Sequence, residues 1–367
     1  MGVRVSVAGV GIHPFGRFDG VTNTDMGVHA VRAALAEAGD PSFQAAFCGT
    51  AYGGVASGHK VLGALALTGV PIVDVEAGCA SGGAALQLAA GAIRAGQYDC
   101  VLVFGVEKMP KGIIRSSFFE PWREETGLAA TPAYFALRAQ RLLREHGLTK
   151  DHLAEVVVKN RKHGVHNPNA MFRKEVTADE VLASRVVCDP LHLWMLCSPN
   201  EGAAAVVLRA GGDGVTLASA RLRSHLPGSV LGEATPLAGI DDTEIVPPST
   251  LAARDAYEEA GVAPGDIDVV ECQDTDAARE LLAYHELGLC DPGDQPRLLA
   301  ERAAAINPSG GLLSKGEPLG ASGLGQVVEL VHQLRGDAGA RQVLGARAGL
   351  AHTVGRGANA SCVIVTR

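Results

Sequence analysis

The sequence predicts an α/β protein made of two similar halves, and three observations lead to this prediction. Apolar, strand-like runs alternate with helical ones along most of the 367 residues, as is typical of layered α/β proteins. This length exceeds what a single hydrophobic core usually supports, which favours a two-part fold. Two segments of the first half also return, in the same order, in the second half.

The elements of the first half follow one another in a regular order. They are a strand at residues 3–11, a helix at 23–39, the strand AAFCGTAY, a helix near 58–68, the strand PIVDVEA, a helix after Cys79 and a strand at 100–106. Asn23, Thr24 and Asp25 provide the side chains that cap the first long helix. The strands are continuously apolar, which favours a parallel sheet covered on both faces.

Residues 107–190 are dominated by helical segments such as PAYFALRAQRLLREHG. We expect them to form an insertion over the sheet, of the kind that covers a ligand. Strand character resumes in GAAAVVLRA at 202–210. We therefore place the N-terminal half at 1–212, including the insertion at about 107–190, and the C-terminal half at 213–367.

The predicted duplication rests on two pairs of segments. STLAARDAYEEAGVAPGDIDVVEC resembles in pattern the earlier MGVHAVRAALAEAGDPSFQAAFCG. GASGLGQVVELVHQLRG at 320–336 resembles CASGGAALQLAAGAIRAG at 79–96, with Gly320 standing where Cys79 stands. Two helices rich in Ala and Gly can match by chance, but two matches in the same order indicate a repeated unit.

Composition and charge argue against several classes of protein. The formal net charge is −8 and no run of Lys and Arg with interleaved aromatic residues is present, so we expect no nucleic-acid partner. No uninterrupted apolar segment reaches about 18 residues, so we expect no membrane span, and the opening MGVRVSVAGVGIHPFG is too short in its apolar core for a signal peptide. The 8 cysteines are scattered without a CxxC pair, which argues against a disulfide or zinc scaffold and favours a reducing cytoplasm.

Cys79 stands between an apolar strand and a helix rich in small residues, in the stretch VDVEAGCASGGAALQ. An isolated cysteine in an apolar segment is usually inert core filling. A strand, a glycine-containing turn and a helix beginning at ASGG would instead place the thiol at a helix N-terminus, where unpaired N–H groups favour thiolate. This arrangement resembles the elbow that exposes a nucleophile above a sheet. The local pattern alone leaves both interpretations open.

Five segments spread along nearly the whole chain carry a further signal. They are AGVGIHPFG, VEAGCASGGAALQLAAGAIRAGQYDCVLVFGVEKM, KNRKHGVHNPNAMFRKEVTADEVLASRVVCDPLHLWMLCSPNEGAAAVVL, INPSGGLLSKGEPLGASGLGQVVEL and AHTVGRGANASCVIVT. Together they resemble the thiolase superfamily, and within it the sterol-carrier-protein-x branch and the related bacterial lipid-transfer proteins. The resemblance implies a five-layered α/β/α/β/α sandwich of two similar halves with an inserted loop region, and a homodimer.

The resemblance also implies a reaction at Cys79. In this family the cysteine takes an acyl group from an acyl-CoA, and a second acyl-CoA, deprotonated beside its thioester carbonyl, attacks the acyl-enzyme. The reverse direction cleaves a 3-ketoacyl-CoA, and two oxyanion sites stabilise the developing charges. The CoA thioester is the substrate, and no metal or organic cofactor is expected besides it.

The late motif departs from the family pattern. Family members carry Gly-His-Pro where this chain has Gly316, Glu317 and Pro318. An ionised glutamate accepts a proton but cannot donate to an oxyanion. We still expect Glu317 to be catalytic, the alternative being a residue that caps a turn.

The motif of the second half departs as well. The family branch has His-Asp-Cys-Phe where this chain has Gln273, Asp274, Thr275 and Asp276. Gln273 keeps a hydrogen-bond donor, so a weak oxyanion site is possible, whereas Thr275 replaces the cysteine that takes the α-proton and is a poor base. By the same resemblance Asp274, Thr275 and Ser309 are candidate substrate contacts.

His352, in AHTVGRG, is another candidate base because it matches the C-terminal motif near the place where many thiolases carry a second cysteine. The alternative is a structural histidine that bonds a loop carbonyl group. Backbone N–H groups at Gly355 and Gly357 would lie beside Cys79 and form the oxyanion site for the acyl group.

The resemblance, carried over to these residues, implies an acyl-CoA-dependent C-acyltransferase of lipid metabolism that forms or cleaves a carbon–carbon bond. One alternative is a thiolase-fold retro-aldolase acting on a β-hydroxyacyl-CoA together with a small OB-fold or zinc-ribbon partner, which the lost histidine and cysteine positions favour. Another is a non-catalytic subunit that binds acyl-CoA or lipid. Arg161 and Lys162 could meet a CoA phosphate, although a solvated face is the expectation.

Overall fold

The computed structural model describes residues 3–112, 131–227, 245–355 and 359–367, together with positions 122 and 125. The strands in these residues are β1 Val5–Gly16, β2 Ala45–Gly49, β3 Ile72–Val75, β4 Cys100–Lys108, β5 Val186–Cys188, β6 Leu191–His192, β7 Glu201–Ala210, β8 Thr216–Arg223, β9 Val269–Cys272, β10 Ala348–Gly355 and β11 Asn359–Thr366. The α-helices are α1 Asn23–Glu37, α2 Ser57–Ala64, α3 Ser81–Arg94, α4 Thr131–His146, α5 Lys150–Val165, α6 Ala178–Ala183, α7 Pro248–Ala260, α8 Ala277–Glu286, α9 Gln295–Glu301, α10 Gly311–Lys315 and α11 Leu319–Arg335.

The two halves of the chain have the same strand arrangement. In the first half β2 runs parallel to β4, and β7 runs antiparallel to both β4 and β1. In the second half β9 runs parallel to β10, and β11 runs antiparallel to both β10 and β8. The strands β1, β2, β4 and β7 therefore correspond to β8, β9, β10 and β11. The prediction of two similar halves is confirmed.

The strands lie in the order β3-β2-β4-β7-β1-β8-β11-β10-β9, and β1 meets β8 through the pair Ser6 and Thr216. The expectation of a parallel sheet is wrong for β1, β7, β8 and β11, which run antiparallel to their neighbours. These strands are apolar on both faces because helices cover both faces, and burial of this kind does not depend on strand direction.

The layers follow from the alternation of side chains along each strand. In β4, Leu102 and Phe104 face outward and pack with Met26 of α1, whereas Val101 and Val103 face inward toward α3. The helices α3 and α11 form a central layer that packs against strands of both halves. The helices α7 and α8 cover the outer face of the second half. The result is the expected α/β/α/β/α sandwich.

The insertion lies between β4 and β7 and packs on the second half of the chain. Two fully buried or nearly buried ion pairs hold it there. Arg138 of α4 pairs with Asp276 at the start of α8, and Nζ of Lys159 of α5 lies 2.7 Å from Oε1 of Glu280 of α8. Removing one partner of such a pair leaves an uncompensated buried charge, so these contacts fix where the insertion sits. None of the helices in the described ranges has both the length and the apolar character that crossing a bilayer requires.

Candidate active site

The turn that carries Cys79 is held by its immediate neighbours. Gly78 has a φ of +59°, a left-handed conformation that favours glycine. Oγ of Ser81 donates to the carbonyl oxygen of Gly78 at 2.6 Å and accepts from the N–H of Ala77 at 2.9 Å. A 3-10 turn at Gly78–Ala80 leads directly into α3. Cys79 therefore lies at the start of a helix, as the sequence predicts.

Glycines bring the neighbouring elements close to this turn. A Cβ atom at Gly82 would lie 3.0 Å from Cγ of Leu324 in α11, and one at Gly83 would lie 1.9 Å from Oγ of Ser361 in β11. The glycines after Cys79 therefore let α3 pack tightly in the central layer.

The end of β10 also lies against the Cys79 turn. A Cβ atom at Gly355 would lie 2.0 Å from the carbonyl oxygen of Ala77 and 3.1 Å from the amide nitrogen of Ala80. The structure thus places the backbone of Gly355 beside the candidate nucleophile. The role of Gly355 as an oxyanion donor stays a prediction, and Gly357 lies outside the described residues.

Cys79 lines a cavity of about 590 Å³, which is large enough for a drug-sized ligand. The residue is 5% exposed and packs with Met109 and Leu319. The insertion and the segment that follows it supply much of the wall, through Phe135, Arg161, Phe172, Arg185, Val187, Leu193 and Trp194. The insertion therefore covers the candidate nucleophile, which was its expected position.

A backbone connection between distant segments brings Glu317 to the same cavity. The N–H of Glu317 donates to the carbonyl oxygen of Ser198 at 2.9 Å. The preceding Gly316 has a φ of +87°, and a Cβ atom there would lie 1.9 Å from Nδ2 of Asn200. The glycine of the Gly-Glu-Pro motif is therefore required for the close approach of the segment before β7.

Cys197 and Glu317 form a hydrogen-bonded pair in the wall of the cavity. Sγ of Cys197 donates to Oε2 of Glu317 at 3.2 Å, and both residues line the cavity with Cys79. Burial of the sulfur and the charge of Glu317 raise the pKa of Cys197 well above its ordinary value. Cys197 is therefore a thiol at neutral pH, and the pair holds a transferable proton.

Gln273 holds Glu317 from a second direction. Nε2 of Gln273 donates to Oε1 of Glu317 at 3.1 Å, and Oε1 of Gln273 accepts from the N–H of Val354. Gln273 is fully buried and is not among the residues that line the cavity. The amide that was expected to donate to an oxyanion thus has a carboxylate as its partner, and we assign Gln273 the positioning of Glu317.

The three candidate substrate contacts have different surroundings. Thr275 lines the cavity of Cys79. Asp274 does not, because its carboxylate accepts from two backbone N–H groups at the start of α10, at 2.6 and 3.1 Å. Oγ of Ser309 donates to Oε2 of Glu271 at 2.6 Å, and Ser309 lines a separate cavity of about 380 Å³. Thr275 alone of the three is brought to Cys79, and the other two are corrected to structural positions.

The structure does not bring His352 to Cys79, and this expectation is corrected. Because side chains alternate along β10, Thr353 faces α11 in the central layer, whereas His352 faces α7 on the outside. Nε2 of His352 lies 3.0 Å from Oγ of Ser249. Burial and the charge of Arg279 lower the pKa of His352 well below its ordinary value. A neutral, enclosed histidine on the far face cannot act on a ligand in the cavity.

Cys197 is the functional candidate that the sequence did not identify. In the sequence it is one of 8 scattered cysteines, and its local pattern predicts no role. Its signal was its position immediately before a long apolar strand, in LCSPNEGAAAVVL. Within the described part of the chain, no cluster of three or more His, Cys, Asp and Glu side chains has the arrangement of a metal site.

Comparisons with known proteins agree with this architecture. A family model described as thiolase, N-terminal domain matches residues 5–211, and one described as thiolase C-terminal domain-like matches residues 238–367. Sterol carrier protein 2 of Bos taurus is 37% identical to the chain, covering 99% of the chain and 72% of that protein. The acetyl-CoA acetyltransferase of Methanothermobacter thermautotrophicus is 36% identical and covers 96% of each sequence.

A solved structure shows the same fold at lower sequence identity. The Ltp2-ChsH2(DUF35) aldolase superposes with a TM-score of 0.87 at 22% identity, covering 99% of this chain and 97% of that one. At this sequence identity the similarity shows a shared arrangement of helices and strands. The chemistry of this chain has to be argued from the residues that line its own cavity.

Proposed function

This chain belongs to the thiolase family, and from that premise we propose that it forms or cleaves a carbon–carbon bond of an acyl-CoA through an acyl-enzyme on Cys79. The observation that supports the proposal is the convergence of Cys79, Cys197 and Glu317 on one cavity. A nucleophile, a proton donor and a proton acceptor are the groups that this chemistry requires.

The proposed reaction has two steps. In the first, the thiolate of Cys79 attacks the thioester carbonyl carbon, the bond from that carbon to the CoA sulfur breaks, and CoA leaves after taking a proton. In the second, another acyl-CoA loses the proton beside its carbonyl group and attacks the acyl-enzyme. A carbon–carbon bond forms, the bond to Sγ of Cys79 breaks, and the thiolate returns.

Glu317 and Cys197 divide the proton transfers in this scheme. Glu317 is an acceptor in its ionised form and takes the proton from the α-carbon of the second thioester. Cys197, which its raised pKa keeps as a thiol, supplies a proton to the departing CoA sulfur. It regains a proton from Glu317 across the hydrogen bond that joins them, which restores both groups. Gln273 holds the carboxylate in place through the bond from its Nε2. The backbone around Gly355 is the proposed donor to the acyl oxyanion.

Intact mass spectrometry tests the proposed acyl-enzyme. The protein is incubated with acetyl-CoA and with longer acyl-CoAs, and we expect an acyl adduct that Cys79→Ser abolishes. Cys290→Ser, at a partly buried cysteine outside this cavity, is the matched control and should leave the adduct intact. An adduct that persists in Cys79→Ser would refute the role of Cys79.

A retro-aldol reaction is a second candidate, and one observation favours it. Gln273 points its amide at Glu317 and His352 lies on the far face of β10, so neither side chain serves the second oxyanion site of an ordinary thiolase reaction. In a retro-aldol step Glu317 would take the hydroxyl proton of a β-hydroxyacyl-CoA. The bond between the α and β carbons would break, giving a carbonyl product, and Cys197 would protonate the enolate of the shorter thioester.

The Ltp2-ChsH2(DUF35) aldolase has the same fold as this chain, so the fold is compatible with aldol chemistry. Under this second candidate we propose a small OB-fold or zinc-ribbon partner subunit, while the homodimer and the cytoplasmic location stay predictions. Cleavage of a β-hydroxyacyl-CoA by Cys79→Ser, without an adduct in the wild type, would favour the aldolase. Tight binding of CoA esters with neither reaction would favour the non-catalytic subunit.

A further inference from the structure

Arg161 carries a positive charge into the cavity that Cys79 lines. The residue is 8% exposed, and its guanidinium carbon lies 4.1 Å from the centre of the Phe172 ring. It makes no hydrogen bond or ion pair with any residue in the described part of the chain, and its Nε is buried without a partner. The expected solvated face is therefore wrong for Arg161, whereas the adjacent Lys162 is exposed.

The other charged residues that line the cavity either have hydrogen-bond partners or are exposed to solvent. Arg17 donates to three backbone carbonyl groups and lies 3.4 Å from Glu201. Arg185 is exposed to solvent. Both carboxylate oxygens of Glu317 already accept hydrogen bonds. Among the described residues that line this cavity, Arg161 is therefore the buried cation whose charge no neighbour balances.

An unbalanced buried guanidinium costs free energy that a ligand anion can offset. Burial lowers the pKa of Arg161 to about 10, which still leaves the group charged at neutral pH. Desolvation of a charge without a partner is unfavourable. A planar guanidinium pairs best with a carboxylate or a phosphate, to which it donates two parallel hydrogen bonds. The ring of Phe172 packs against the guanidinium group and limits its movement.

We propose that Arg161 binds an anionic oxygen group of the substrate, either a carboxylate at the far end of the acyl chain or a phosphate of CoA, and so selects which thioesters are used. The inference rests on the proposed function for the identity of the ligand as a thioester. Its physical basis, a buried cation whose charge no neighbouring residue balances, is independent of the reaction.

The geometry favours the acyl carboxylate. The long pantetheine arm of CoA separates the thioester from the nearest phosphate, whereas Cys79 and Arg161 line one cavity of about 590 Å³. The rings of Phe135, Phe172 and Trp194 line the same space and suit the methylene groups of an acyl chain. A dicarboxylic acyl group would place its thioester carbon at Cys79 and its free carboxylate at Arg161.

Equilibrium binding to Cys79→Ala, which cannot form an acyl-enzyme, separates this inference from the catalytic proposal. The probes are N-acetylcysteamine thioesters, which lack phosphate, carrying succinyl, glutaryl or adipyl groups, each compared with its neutral terminal amide. We expect at least one acid to bind about tenfold more tightly than its amide. Arg161→Met should abolish this preference, Arg161→Lys should keep part of it, and Lys162→Met, at the exposed neighbour, should keep all of it.

A second pair of ligands identifies the source of the anion. If Arg161→Met weakens the binding of CoA but not of pantetheine, and the acids and amides bind equally, the anion is a phosphate of CoA. If Arg161→Met changes neither CoA binding nor the preference for acids over amides, the proposal is overturned. Should the Met variant not fold, equal binding of acids and amides in the Arg161-containing protein, with equal binding of CoA and pantetheine, would overturn it as well.

Discussion

Sγ of Cys197 donates a hydrogen bond to Oε2 of Glu317 at 3.2 Å, and the two residues are 120 positions apart in the sequence. The contact joins the segment before β7 to the segment before α11, one from each half of the chain. Both residues lie in the wall of the cavity that Cys79 lines. The two candidate proton-transfer groups are therefore in contact only when the two halves are packed together.

The charge of Glu317 should control the reactivity of Cys197. Because that charge helps to raise the pKa of Cys197, Glu317→Gln should lower this pKa and increase the thiolate fraction. We expect faster alkylation of Cys197 by iodoacetamide, by about tenfold for each unit by which the pKa falls. The measurement is peptide mapping by mass spectrometry between pH 7 and pH 10 in a Cys79→Ala background.

Cys290 provides the internal control for this experiment. Burial and the charges of Asp294 and Asp291 raise its pKa to about 11, and Glu317 is not among the causes. Its alkylation rate should therefore be the same with and without Glu317→Gln. An unchanged rate at Cys197, with Cys290 also unchanged, would contradict the proposed coupling of thiol and carboxylate.

Gln273 should act on the reaction only through Glu317. Gln273→Met removes the donor to Glu317 and leaves the N–H of Val354 without its acceptor, which costs about 1–3 kcal/mol of folding free energy. We expect slower formation of the acyl adduct, measured by rapid quench and mass spectrometry. In a double-mutant cycle the effect of Gln273→Met on this rate should disappear when Glu317→Gln is already present. Additive effects of the two substitutions would rule out the positioning role.

The sequence predicts the fold more completely than it predicts the candidate site. Apolar runs of strand length indicate buried strands, and a repeated order of segments indicates duplication, so both features can be predicted from the sequence pattern. Strand direction cannot be predicted in this way, because a strand covered on both faces is apolar whichever way it runs. The antiparallel course of β7 places Glu201 opposite Lys108 at the carboxyl end of β4. The residues before β7, Cys197 among them, thus reach the edge where active sites form.

The misplacement of His352 has a related physical cause. Motif position fixes where a residue falls along β10, but the face that its side chain occupies depends on the phase of the strand, and a shift of one residue reverses it. The sequence does not predict the burial of Arg161, for a different reason. The segment KNRKHG contains three neighbouring cations, a pattern that predicts a solvated face. Only the packing of α5 shows that Lys159 and Arg161 are buried whereas Lys162 is exposed.

Substitution of the glycines of α3 should have opposite effects on stability, depending on whether the glycine lies against a neighbouring element or faces open space. A Cβ atom at Gly83 would lie 1.9 Å from Oγ of Ser361, whereas one at Gly91 meets nothing within 4 Å. Gly83→Ala should therefore lower the free energy of unfolding by about 1–3 kcal/mol or more. Gly91→Ala, in the same helix, should raise it by up to about 1 kcal/mol because alanine favours the helix. Urea unfolding measures both, and equal effects would contradict the tight packing of α3.

His163 should make the fold less stable in mild acid. Its Nδ1 lies 2.9 Å from the carbonyl oxygen of Asn307. Burial together with the charge of Lys159 lowers its pKa to about 4, against smaller opposing effects of this hydrogen bond and of Glu280. The unfolded chain, with an ordinary histidine pKa near 6.5, therefore binds more protons than the folded one as the pH falls below about 6.5. We expect this group to remove about 2 kcal/mol of stability between pH 7 and pH 5.

Comparison of variants isolates this contribution from the other titrating groups. His163→Gln keeps a donor for the carbonyl group of Asn307 but cannot gain a proton, so its free energy of unfolding, measured in urea at pH 7 and pH 5, should fall by about 2 kcal/mol less than that of the wild type. His59→Gln, at an exposed histidine of α2, should behave as the wild type does. If His163→Gln loses as much stability on acidification as the wild type, then His163 must gain its proton in the folded state, and α5 must open at that point to admit water.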